Sequence, residues 1–374
     1  ARALDLATGD VQYENRYFQP WPRERRIEYR GPDGTSVPLG NQIFDLPGIG
    51  MVGFEICEDA WEGIRPGSIH ALAGAEILLN PSASWFTIGK HRVRRRMVEQ
   101  ISLEDHCVYL YASLLGCDAT RLIFDGSLFI AVNGRIEAEG RRFVFTRDFE
   151  LTHRVVDLRE LRHARMEEGS WREQHQRAEF GQFGLWPSIV RVDSEFGSSQ
   201  APLPPSPYWL PPEPRHADPS LAYLESQCYG GKTITERDLN HIELELALAL
   251  GLRDYTRKCG VKTLCLAISG GRDSAMVAVI VHRMIRYQHP DLSDDEVRRL
   301  VHQRFVCAYL ATENSGSTTR DAAEGVAREV GARFFDGKIQ PALEALQGAV
   351  ETMTGEPLSW ANPAHAIPLQ HVQA

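Results

Sequence analysis

Residues 1–190 alternate short apolar runs with turns and helical stretches. Apolar runs at residues 49–56, 76–79 and 107–113 predict strands, the first ending at Cys57. Residues 68–74 suit a short helix, and residues 90–104 a helix crowded with charge. Residues 122–124 and 128–132 read as a hairpin closing toward the Asn133-Gly134 turn. Strands alternating with helices, then hairpins, predict a layered α/β or α+β domain.

The pattern breaks at residues 201–219, where Pro202, Pro204, Pro205, Pro207, Pro211, Pro212, Pro214 and Pro219 fall close together. Proline fixes φ and removes a donor, so this stretch predicts an extended connector and a domain boundary. Beyond it, residues 236–258 read as a helix. Leu239, Ile242, Leu246 and Leu250 make one stripe, and Leu244, Leu248 and Leu252 a second. Two apolar stripes predict burial on two sides. Then come a strand at 263–268, a glycine turn, a helix at 274–287, a strand at 304–310, a polar turn, a helix at 317–330 and a strand at 332–335. That β-α-β-α-β order predicts a parallel, doubly wound sheet.

Composition narrows the function. The 50 acidic and 41 basic residues leave a net charge of -9, which disfavours a nucleic-acid partner. No window holds the ~18 apolar residues a membrane span needs, and no basic-apolar leader opens the chain. The seven cysteines form no C-x-x-C pair and no zinc-spaced cluster, which suggests reduced thiols in a cytoplasmic protein.

The sharpest chemical signal is Ser269-Gly270-Gly271-Arg272-Asp273-Ser274, between an apolar strand and an apolar helix. Glycines let the backbone approach an anion, and a helix N-terminus offers free N–H groups with a positive dipole end. Ser269 and Ser274 add hydroxyls, and Asp273 suits a Mg²⁺ that bridges phosphates. The plainer reading is a tight turn with Asp273 as a helix cap. The spacing is not that of a Walker A loop. After the next strand, the turn that begins at Thr312 lies at the carboxyl end of a parallel strand, where open α/β sheets bind ligands. By itself it reads equally as a helix start, with Thr318 and Asp321 placed for a capping box.

In the first half, Cys57 stands in Gly53-Phe54-Glu55-Ile56-Cys57-Glu58-Asp59-Ala60-Trp61. A lone cysteine is usually a small buried hydrophobe. The polar Glu58-Asp59 step puts this one at the rim of the sheet, where the N–H of Glu58 can help hold an oxyanion. Lys90 either joins that site or simply begins the charged helix. There the arginines at 92, 94, 95 and 96 predict a solvated or subunit-contacting face.

Family resemblances sharpen both halves. The loop at 269–274 resembles the SGGxDS loop of the N-type ATP pyrophosphatases, over residues 239 to the C-terminus. That likeness implies ATP and Mg²⁺, with Ser269, Gly270, Gly271, Asp273, Ser274 and Thr312 on the nucleotide and Asp273 toward the metal. The Cys57 string resembles the nucleophile motif of the nitrilase-like glutaminase domains of NAD synthetases. Glu14-Asn15-Arg16-Tyr17-Phe18, Asn80-Pro81-Ser82-Ala83-Ser84 with Gly89-Lys90, Gly116-Cys117-Asp118 and Phe124-Asp125-Gly126 are similar to further motifs of that group. The resemblance implies Cys57 as nucleophile, Glu14 as an accessory acid, and Glu58, Ser82 and Ser84 around glutamine. The tail from Leu369 to Ala374 is similar to that group's LQNIQAR helix, with His371 where Asn is usual.

Together the resemblances imply an α/β chain. A nitrilase-like α-β-β-α sandwich is expected over residues 1–195, a proline-rich connector over 196–235, and a doubly wound parallel-sheet domain of the adenine nucleotide alpha hydrolase type over 236–374. The expected reaction is glutamine-dependent amidation of nicotinic acid adenine dinucleotide by a homo-oligomer. One departure stands out: no lysine precedes Lys90, and the family lysine falls near Ala3, where the chain reads Ala1-Arg2-Ala3. The family's first glutamate lies farther upstream still. Either more sequence precedes and follows this chain, or the amidase is disabled. The competing readings are an ammonia-dependent synthetase with a decayed amidase, a fusion amidating another carboxylate, and a non-enzymatic subunit.

Overall fold

The computed structural model describes residues 21–22, 25–118, 122–179, 186–192, 235–313, 315–367 and 369. The chain divides into two compact units, residues 1–251 and 252–374. Glu14, the proline-rich connector and the tail after Leu369 lie outside the described residues.

The first unit opens with a short antiparallel pair, β1 (Ile27–Arg30) and β2 (Ser36–Leu39). Its centre is a seven-stranded mixed sheet built from β3 (Gln42–Leu46), β4 (Gly50–Phe54), β5 (Ile77–Ser82), β6 (Val108–Ser113), β9 (Leu128–Val132), β10 (Arg135–Glu139) and β11 (Ser188–Arg191). The order is β10-β9-β6-β5-β4-β3-β11, with β4, β5 and β6 parallel. Parallel neighbours need crossovers, and two helices supply them. These are α1 (Pro66–Leu72) between β4 and β5, and α2 (Lys90–Glu104) between β5 and β6. Leu78, Tyr109, Tyr111 and Phe129 of the sheet pack with Ala71, Val98 and Ile101 of those helices into one core. Helices α3 (Leu158–Glu167) and α4 (Gly169–Glu179) lie between β10 and β11 in the chain, and Trp171 and Ala178 join that core.

The hairpin at the Asn133-Gly134 turn differs from the sequence expectation. Asn133 and Gly134 both have positive φ, and they join Leu128–Val132 to Arg135–Glu139. The strand β8 (Ile123–Asp125) pairs instead with β7 (Leu115–Cys117). Strand β10 carries three charged residues, Arg135, Glu137 and Glu139, on a sheet edge. Charges on an edge discourage pairing with other chains, and they also erase the apolar run that reveals a strand.

Helix α5 (Glu236–Lys258) crosses the division between the units. Leu239, Ile242, Leu246 and Leu250 are buried as predicted. The second stripe is not: Leu244 and Leu248 are 43% and 41% exposed. Polar residues complete the buried face instead, among them Glu243, Arg253 and Asp254.

The second unit holds a three-stranded, wholly parallel sheet of β12 (Leu264–Ala267), β13 (Phe305–Ala311) and β14 (Arg333–Lys338), in that order. The intervening helices are α6 (Arg272–Gln288), α7 (Asp294–Arg304) and α8 (Ser317–Val330), and α9 (Gln340–Thr354) follows β14. Both turns singled out in the sequence therefore leave the carboxyl ends of adjacent parallel strands. Among the described residues no helix is long and apolar enough to cross a membrane.

Candidate functional site

Strand β4 ends at Phe54, and the chain turns sharply. Ile56 is extended, and Cys57 then takes φ +55 as the first residue of a 3-10 turn over Cys57–Trp61. A left-handed backbone at a non-glycine residue costs ~1–3 kcal/mol and persists only where its surroundings enforce it. Asp59, fully buried, does so: its Oδ2 accepts the Ile56 N–H at 3.0 Å, while its own N–H donates to the Ile56 carbonyl at 3.1 Å. Cys57 itself is partly exposed. The elbow holds a thiol at the rim of the sheet, as the residue pattern suggested.

Beneath it runs a buried polar chain that sequence reasoning missed. Asn80 Nδ2 donates to the Cys57 carbonyl at 3.5 Å and to the Tyr109 hydroxyl at 2.9 Å. Tyr109 donates to Glu55 Oε1 at 2.5 Å, and the Gly67 N–H donates to Glu55 Oε2 at 3.0 Å. Arg65 lies 3.5 Å from Glu55 and 2.9 Å from Asp105. Burial pushes the Glu55 carboxyl above its usual range, and Arg65 and Tyr109 oppose the shift without cancelling it. A Cβ on Gly67 would stand 2.3 Å from Glu55 Oε2, so only glycine fits there. The one sequence signal for this chain was Glu55 itself, a carboxylate inside an apolar strand pattern two residues before the cysteine.

Ser82 and Ser84 are both buried. Ser82 Oγ donates to Asn80 Oδ1 at 2.5 Å, and Ser84 Oγ accepts from Arg94 Nε at 3.2 Å. Arg94 overturns the expectation of a solvated basic face. It is wholly buried, pairs with Asp125 at 2.7 Å, and donates to the Ser84 and Trp85 carbonyls at 2.8 and 2.9 Å. Arg92 and Arg96 do point to solvent. Burial would raise the Asp125 carboxyl, but Arg94 and then Arg142 outweigh it and hold the carboxyl below its usual range.

Lys90 begins α2 and stands within reach of the charges of Cys57 and Glu58. It is half-buried, with Nζ 4.1 Å from the centre of the Trp85 ring. Burial and then Arg94 lower its pKa, while Cys57, Asp125 and Glu58 act the other way. The structure thus brings Cys57, Glu58 and Lys90 together, with Ser82 and Ser84 in the wall behind.

In the second unit, the loop of residues 269–274 stands open. Ser269, Gly271, Arg272 and Asp273 are exposed. Ser269 and Ser274 brace the loop: their hydroxyls lie 3.1 Å apart, Ser274 Oγ accepts the Ser269 N–H, and Ser269 Oγ accepts the Gly271 N–H. Gly270 has φ +77, and a Cβ there would lie 2.1 Å from the Thr319 carbonyl oxygen. Thr319, on the first turn of α8, also bonds the Tyr309 hydroxyl at 2.8 Å. The loop and the Thr312 turn therefore share one edge. The Thr312 N–H donates to Ser315 Oγ at 2.9 Å. The capping box expected of Thr318 and Asp321 does not form: α8 is capped by Gly316, and Thr319 Oγ1 donates to the Gly316 carbonyl. Among the described residues no group of three His, Cys, Asp or Glu is set to hold a metal ion. Asp273 offers a single carboxylate, enough for a Mg²⁺ carried mainly by phosphates.

A carbon–nitrogen hydrolase family model matches residues 2–145, and an NAD synthase family model matches residues 245–363. The human glutamine-dependent NAD(+) synthetase is 29% identical over 99% of this chain and 53% of its own length. A crystal structure of a glutamine-dependent NAD(+) synthetase from Cytophaga hutchinsonii matches with a TM-score of 0.64 and 25% identity, covering 100% of this chain and 52% of that one. A synthetase of the same name from Acinetobacter baumannii, solved with ADP, shares the fold with a TM-score of 0.56 at 16% identity, covering 100% of this chain and 50% of that one. The chain spans about half the length of the curated relatives it matches.

Proposed function

We propose that this chain, which pairs a carbon–nitrogen hydrolase segment with an NAD synthase segment and is homologous to glutamine-dependent NAD(+) synthetases along 99% of its length, forms the central part of such an enzyme. The observation that carries the reading is the elbow at Cys57. A strained thiol beside Lys90 and the Glu58 N–H needs a reason to exist, and amide attack supplies one.

In this reading Cys57 Sγ attacks the side-chain amide carbon of glutamine. The Glu58 N–H and Lys90 stabilise the oxyanion, ammonia leaves, and water cleaves the resulting thioester to give glutamate. Glu58, Ser82 and Ser84 shape the glutamine pocket, and Glu14 is the accessory acid. Ammonia then serves the second unit, where ATP activates a carboxylate. One oxygen of nicotinic acid adenine dinucleotide attacks the α-phosphorus and pyrophosphate leaves. Ammonia then displaces AMP to give NAD. Ser269, Gly270, Gly271, Ser274 and Thr312 hold the phosphates. Mg²⁺, when bound, would neutralise the pyrophosphate charge, with Asp273 as its protein partner. The six cysteines among the described residues are free thiols, which supports a cytoplasmic setting.

The test is Cys57→Ala in the complete protein. Glutamine-driven NAD formation is expected to fall at least a thousandfold, with ammonia-driven formation unchanged. Equal retention of both would dismiss the amidase. Ammonia-driven synthesis alone, in the unmutated protein, would favour a decayed amidase.

A further inference from the structure

Helix α5 reaches into the first unit with a carboxylate that neither reaction step uses. Glu243 is 3% exposed. Its Oε1 pairs with Arg142 at 2.9 Å, and its Oε2 accepts the Gly89 N–H at 2.9 Å. Arg142 in turn lies 3.3 Å from Asp125, which pairs with Arg94. Two cations and two anions thus balance in a buried row that ends at the wall of the Cys57 pocket.

The Gly89 contact explains why this carboxylate matters. Gly89 is the N-cap of α2, in left-handed conformation at φ +76, and its own side makes no cap bond. In a capping box, a Glu or Gln three residues into the helix accepts the N-cap N–H. Here that position is Arg92, which has no acceptor. Glu243 supplies the missing acceptor from another helix, and it places negative charge at the positive end of α2. The next residue is Lys90.

We propose that Glu243 is a positioning residue of the glutamine pocket, fixing the first turn of α2 so that Lys90 faces Cys57. This rests on the reading of Cys57 as nucleophile. It also makes a helix encoded after the proline-rich stretch part of the amidase. Without the Glu243 carboxylate, the Gly89 N–H loses its acceptor and Arg142 one of its two carboxylates, and Lys90 is free to turn toward solvent.

The test is a double-mutant cycle in the complete protein, using Glu243→Gln, Lys90→Met and both together. Glu243→Gln keeps the shape of the side chain and one acceptor. We expect Lys90→Met to lower kcat for glutamine hydrolysis at least a hundredfold and Glu243→Gln about tenfold, the latter with ammonia-driven synthesis unchanged. In the double variant the Glu243 change adds less than twofold, because its effect passes through Lys90. Glu243→Asp keeps the charge and recovers part of the loss. A Glu243→Gln protein with unaltered kcat for glutamine hydrolysis, or fully multiplicative effects in the cycle, overturns the proposal and leaves a structural role. Should Glu243→Gln fail to fold, Glu243→Asp read in the same cycle decides the question. If the unmutated protein hydrolyses no glutamine, or Cys57→Ala still does, the amidase reading fails and this proposal with it.

Discussion

At Cys57 the chain accepts local strain, and the cost is met by buried partners on every side. Asp59 closes the turn, and Asn80, Tyr109, Glu55 and Arg65 secure the backbone beneath. Cys57, Glu58, Ser82 and Ser84 were readable because they sit in compact strings. Tyr109, Arg65 and Asp105 were not, because Arg65 stands at the start of α1 and reaches Glu55 on one side and Asp105, just past the end of α2, on the other, while Tyr109 meets Glu55 and Asn80 from the neighbouring strand. His70 shows how such burial couples to pH. Burial lowers its pKa from 6.5 to about 4, so it is neutral in the fold, with Nε2 2.9 Å from Asn41 Oδ1. Below pH 6.5 the unfolded chain takes up a proton that the folded chain refuses. Stability therefore falls as pH drops from about 6.5 to about 4, by about 3 kcal/mol in all. His70→Gln should remove that slope relative to the unmutated chain. Tryptophan fluorescence in urea at pH 7.5 and 4.5 measures it, since six of the seven tryptophans belong to the first unit. An unchanged slope would mean the imidazole is not buried neutral.

The helices Lys90–Glu104, Glu236–Lys258 and Ser317–Val330 match their expected bounds. Among those missed are one polar helix and one apolar one. Helix α7 reads Asp-Asp-Glu-Val-Arg-Arg-Leu, yet its Ser293…Glu296 capping box was a usable start signal. Helix α9 likewise advertised itself by Pro341 near its start and Gly355, at φ +74, just after its end. The loop at 269–274, proposed to hold phosphates, depends on one such special position. Gly270→Ala would force a Cβ toward the Thr319 carbonyl at a φ that alanine resists. We expect ATP binding to weaken at least tenfold by isothermal titration calorimetry, with glutamine hydrolysis retained. ATP affinity within twofold of the parent would remove the loop from the nucleotide site.

For the whole molecule, the proposed function gives the order of parts a chemical reason. Ammonium is no nucleophile, so an adenylated carboxylate is best served by ammonia made within the same protein. The order of the two segments was legible in the sequence, and the relatives match along 99% of the chain, which spans about half of their length. Less legible was how the first unit ends: it extends to Gly251, because Glu243 and its apolar neighbours on α5 pack with residues that precede the connector. No local pattern could announce a partner 154 residues away.

The central claim is that glutamine nitrogen, freed at Cys57, displaces AMP from a carboxylate activated at the 269–274 loop. Mass spectrometry of one reaction of the complete protein tests it, with amide-¹⁵N glutamine and carboxylate-¹⁸O nicotinic acid adenine dinucleotide supplied together. The account predicts ¹⁵N in the NAD amide and one ¹⁸O in AMP. Isotope in pyrophosphate or inorganic phosphate, or an unlabelled amide, would contradict it.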